Sequence, residues 1–171
     1  MNSMDYETAK YHILRILPEF GLVDTPPNYN GMVEGRLVSP TQATFMFHIS
    51  WFCFLSGIYA FYRKYFDIAF ATFAVWTTSL IYWSNPANNA FRVLDMVVVS
   101  SIFVFMLFRA YHAKVHPIYY IVYIMAVSCY LIAWTVKRFS EWLAILMHAL
   151  LHILATLSNF ILCSHHLPIW I

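Results

Sequence analysis

The sequence predicts an all-α, polytopic membrane protein: a bundle of about five transmembrane helices behind a short polar N-terminal segment. Composition is the first reason. Of 171 residues, 61% are hydrophobic and only 11% charged, with a mean hydropathy of +0.64. A soluble domain carries roughly a quarter charged residues, so these charges are too few to solvate a surface. The second reason is length: from Thr41 onward the apolar runs reach the roughly 20 residues that a helix needs to cross ~30 Å of hydrocarbon. The third is spacing, since short polar joints separate the runs. Transmembrane strands are excluded by run length and by the lack of sustained alternation.

Residues 1–40 form the polar segment. Asn2 or Ser3 is placed to cap a short helix, with Asp5 and Glu7 in its first turn and Pro18 as its stop. Tyr6, Ala9, Ile13 and Ile16 or Leu17 recur at helical spacing, which gives a modest amphipathic helix suited to a membrane surface or to a partner in a membrane complex. Residues 21–40, with three glycines and three prolines, read as irregular chain. The transmembrane bundle, 41–171, follows with spans at about 41–61, 65–84, 91–111, 117–136 and 141–163. Joints this short predict that consecutive spans are antiparallel neighbours. Basic residues are balanced between the two sides, and only Lys10 and Arg15 tilt the N-terminal side towards the cytoplasm.

Several classes fall away. The basic residues are scattered, so there is no clustered face for nucleic acid. Cys53, Cys129 and Cys163 are odd in number and lie inside apolar runs, as buried small hydrophobes do. The acidic, polar opening MNSMDYETAK is not expected to act as a cleavable signal or a transit peptide, and no glycosylation sequon occurs.

Ionisable groups inside a span are costly and mark sites by default. In the last span, HALLH places His148 and His152 four apart on one helical face, and Glu141, Thr156 and Asn159 extend that stripe. Such a pair suits a metal chelate; the alternative is two histidines hydrogen-bonded between helices. Call the side where the first span begins X and the opposite side Y. Counting ~1.5 Å per residue from X puts His48, Ser79, Asp95 and His148 at similar depth, with His152 a turn below. For Ser79 the alternative is a hydroxyl bonded to its own helix. For Asp95 it is a pair with Arg92, and for His48 it is a polar seam with Thr41, Thr44 and Ser56.

The combination SLIYW (79–83), RVLD (92–95) and HALLH (148–152) resembles the CREST superfamily of membrane hydrolases, which includes alkaline ceramidases, progestin and adipoQ receptors and Per1-like lipid-remodelling proteins. The resemblance implies that Ser79 matches the family serine, Asp95 its aspartate, and His148 and His152 its final zinc-binding pair. Trp83 stands where the family has its first zinc-binding histidine, and five spans stand where it has seven. A third ligand would then come from His48 or, second, from Asp95. On this reading a zinc-bound water hydrolyses a lipid amide or ester, with Asp95 as general base and Ser79 at the oxyanion. The other expectation is a non-catalytic structural or accessory subunit of a membrane complex, its polar groups serving helix packing.

Overall fold

A computed structural model describes residues 38–87, 90–165 and 167. The amphipathic helix expected over residues 6–17, and nearly all of the polar segment, lie outside the described residues. Among the described residues the chain is helical, with no strands. It is a multi-pass integral membrane protein.

The first span begins where Ser39 and Gln42 cap each other. Ser39 Oγ accepts from the Gln42 N–H at 3.3 Å, and Gln42 Oε1 accepts from the Ser39 N–H at 2.9 Å. This is a capping box, with Pro40 at the first helical position where its missing N–H costs nothing. The span is jointed: α1 (Pro40–Ile49) gives way to α2 (Trp51–Tyr62) at Ser50. There the Ser50 hydroxyl donates to the Met46 carbonyl at 2.9 Å, a side-chain bond of the kind that bends helices. The remaining helices are α3 (Phe66–Ser84), α4 (Ala90–Ala113), α5 (Pro117–Val136) and α6 (Glu141–Ser164).

Among the described residues four segments are long and apolar enough to cross a membrane: Pro40–Tyr62, α4, α5 and α6. The fifth expected span, α3, is a 19-residue helix diluted by Asp67, three threonines and two serines. Its two ends pair with the two ends of α4, as described below, so it runs beside α4 for most of its depth. On side Y, two turns share one solution. Lys64 and Lys114 adopt the left-handed conformation, with φ of 63° and 50°. Each is followed by a bond across the helix end, from Tyr65 N–H to the Ala60 carbonyl and from Val115 N–H to the Ala110 carbonyl. That is a Schellman-type stop, usually built on glycine.

Packing is uneven. α6 lies against α5, α2 and α1, while α3 lies against α2, α4 and α1. On the α5–α6 seam Ala126 and Cys129 of α5 pack with Leu151 of α6, and Ala133 and Ala144 line one cavity; small residues of this kind let backbones approach in a membrane. Gly57 serves the α2–α3 approach: a Cβ there would meet Phe73 Cε1 at 2.6 Å. Consecutive spans pack backbone to backbone at α2–α3, α3–α4 and α5–α6, whereas α4 and α5 meet through large side chains. The Tyr123 hydroxyl reaches across to the Phe103 carbonyl at 2.8 Å, with ring centroids 5.3 Å apart.

Candidate functional site

The end of α3 and the start of α4 meet antiparallel on side X. This sets Asp95, in the second turn of α4, against the TTS run at 77–79. Asp95 Oδ1 accepts from both Thr78 Oγ1 and Ser79 Oγ, each at 2.8 Å. Ser79 therefore bonds across helices rather than to its own backbone, and Asp95 is buried.

On α6 the His148 and His152 rings lie side by side, 5.3 Å between centroids. His148 packs edge-on to Trp83 at 5.5 Å and to Tyr130 at 6.3 Å. His152, fully inside the bundle, places Nδ1 3.5 Å from Cys53 Sγ on α2. Asp95, Trp83 and His148 line one cavity of about 170 Å³, bounded by the end of α3, the start of α4, the end of α5 and the start of α6. Arg92, Lys137 and Glu141 also line it, all from helix ends and so at headgroup depth. A smaller cavity of about 40 Å³ lies deeper, lined by Cys53, Thr72, Thr156 and Asn159 among others. The α6 stripe thus joins the two: Glu141 and His148 line the first cavity, Thr156 and Asn159 the second, and His152 lies between.

Four of the five expected site residues, Ser79, Asp95, His148 and His152, point into this interior. His48 does not. It sits on the exposed face of α1 with Thr41 and Thr44, while Gln42, Met46 and Ser50 take the buried face. Neither a seam through His48 nor its convergence with the α6 pair is formed. Among the described residues no three of His, Cys, Asp and Glu converge as a metal-binding group. Trp83 fills the space beside His148, and the Asp95 oxygen is taken by two hydroxyls. The donor set as arranged does not fit a three-ligand zinc centre.

Two residues and one ion pair lacked a clear sequence signal. Thr78 could have been read from its neighbour Ser79. Cys53 had no signal, since a cysteine in an apolar run is ordinarily a small hydrophobe. The pairing of Arg109 Nε with Asp67 Oδ2 at 2.7 Å on side Y was readable only by asking which intramembrane charges share a depth. Comparison of the chain with protein-family models, with characterised proteins and with solved structures finds no match.

Proposed function

We propose that this multi-pass membrane protein binds a bilayer lipid in the cavity at the X-side ends of α3–α6, as a non-catalytic, accessory protein of its membrane. The observation that carries this reading is the cavity itself: about 170 Å³, walled by aromatic and aliphatic side chains, with charged groups at the helix ends. Ligand sites have that composition, mostly apolar with a few placed polar groups, and they form between the helices of bundles. The loose α4–α5 packing supports sideways entry from the bilayer. Native mass spectrometry of detergent-purified protein tests it. Met96 lines the cavity from a half-exposed position, so Met96→Trp should fill it and lower lipid retention about tenfold, as loss of a well-packed contact does. Wild-type protein that takes up no lipid overturns the reading.

A second reading, zinc-dependent hydrolysis of a lipid amide or ester in the same cavity, draws on one observation: Asp95 and His148 line it together, and Ser79 bonds to Asp95. It requires a third ligand beside His148 and His152. Metal analysis of wild type and His148→Ala discriminates. About one zinc per chain, lost in the variant, favours hydrolysis; wild type that binds no zinc when zinc is supplied ends it.

A further inference from the structure

We propose that the cavity recognises a choline phosphate headgroup, an inference that rests on the lipid-binding reading above. Charge is the first argument. Arg92 and Lys137 bring two positive charges to the lining, and Asp95 and Glu141 bring two negative ones. A balanced lining suits a zwitterion. An anionic headgroup would face two carboxylates with no cation of its own.

The aromatic side chains decide which zwitterion. Trp83 from α3, with Tyr130 and Trp134 from α5, lines the same space. A trimethylammonium group has no N–H to donate and is held by aromatic faces and a nearby carboxylate. A primary ammonium needs several acceptors instead. Here Glu141 offers a carboxylate, but Asp95 Oδ1 is already engaged by Thr78 and Ser79. The quaternary ammonium therefore fits better.

The phosphate has its own partners. Arg92 and Lys137 supply charge, and Trp83 supplies a donor: its Nε1 is buried with no hydrogen-bond partner among the described residues. A buried indole N–H ordinarily finds an acceptor, and a phosphate oxygen in the cavity would be one.

The test is competitive retention in native mass spectrometry. Delipidated protein is offered equal amounts of phosphatidylcholine, phosphatidylethanolamine and phosphatidylglycerol with the same acyl chains. Wild type should retain the choline lipid about fivefold over each of the others, the size expected for a desolvated cation–aromatic contact. Tyr130→Ala and Trp134→Ala, both at half-exposed positions, should remove the preference while lipid still binds. Trp83→Phe keeps a ring and removes the donor, and should weaken all three lipids alike. Equal retention of the three by wild type overturns the headgroup assignment and leaves lipid binding standing. No retention of any lipid overturns both. Binding of free phosphocholine without uptake of the choline lipid overturns the lipid as its source.

Discussion

α4 and α6 are both 24-residue helices, and they solve the membrane problem in opposite ways. α4 is the more apolar, with a mean hydropathy of 2.1 against 1.8, yet 11% of its apolar 18-residue stretch is buried against 39% for that of α6. In water the order would be reversed. In lipid an apolar side chain gains nothing by leaving solvent, so the greasiest helix can stay outside and the interior collects small and polar residues. α6 follows that rule in large part: Ala144, Ala149, His152, Thr156, Ser158 and Cys163 are buried, beside Ile145, Leu151 and Leu162. The buried residues of α4 are Asp95, Met106, Arg109 and Ala110. Half of them are ionisable, and each of those two bonds to α3: Asp95 at side X and Arg109 at side Y. α4 is fastened at its ends by polar contacts, about four turns apart, rather than by a continuous packed face.

The largest effect should come from breaking the side-Y fastening. Arg109 is 0% exposed and Asp67 29%, so Asp67→Ala leaves a buried guanidinium without its carboxylate. Losing one partner of a buried pair costs about 3–5 kcal/mol. Arg109→Met should cost less, because the stranded Asp67 retains access to water. The double variant should recover most of the loss. Unfolding in mixed detergent micelles, followed by circular dichroism, would check the order. If Asp67→Ala and Arg109→Met are equally mild, α4 is not held by this pair.

A charge on the outer face of α4 comes next. Val104 is 69% exposed and lies near mid-span, so Val104→Arg should cost about 2.5–3.5 kcal/mol of insertion. Glycosylation mapping in microsomes reads this directly. Normal insertion of the variant would mean that this face meets water or protein rather than lipid. On the α5–α6 side the sensitive change is steric. Ala126 is fully buried in the small-residue seam, and Ala126→Leu should destabilise by about 1–3 kcal/mol through overpacking. Val97→Leu, on the outer face of α4, should be neutral when both variants are unfolded in mixed micelles.

Much of this contrast is legible in the sequence, because membrane thickness fixes span length and the cost of intramembrane charge singles out Asp95, His148 and His152. That Asp95 and His148 lie at similar depth, with His152 a turn below, follows from chain parity and the rise of ~1.5 Å per residue. The parts that were not legible depend on side-chain volume and rotation about the helix axis. Nothing in PTQATFMFHIS says that Gln42 turns inward and His48 outward, since both are polar and neither rotation is forced by a long apolar stripe. The joint at Ser50 rests on one hydroxyl choosing a carbonyl. The α4–α5 gap depends on where Phe103 and Tyr123 project. Short joints constrain helix ends, not the distance between helix middles.

The smallest effect is expected at side X, and it sharpens the account of how α4 is held there. Thr78 and Ser79 donate to the same oxygen of Asp95. Ser79→Ala removes one donor and leaves the other, so it should cost about 0.6 kcal/mol, the average for an interhelical hydrogen bond in a membrane bundle. Thr78→Val should cost a similar amount. The double variant leaves a buried carboxylate with neither hydroxyl, and its cost should exceed the sum of the two, because burying an unsatisfied polar group is more expensive than losing one of two bonds. Asp95→Ala in the same background separates the cases, since removing the carboxylate as well should restore part of the stability. Strict additivity would mean that Asp95 draws its stabilisation from another neighbour of the cavity, and the two hydroxyls would then be bystanders to the fastening of α4.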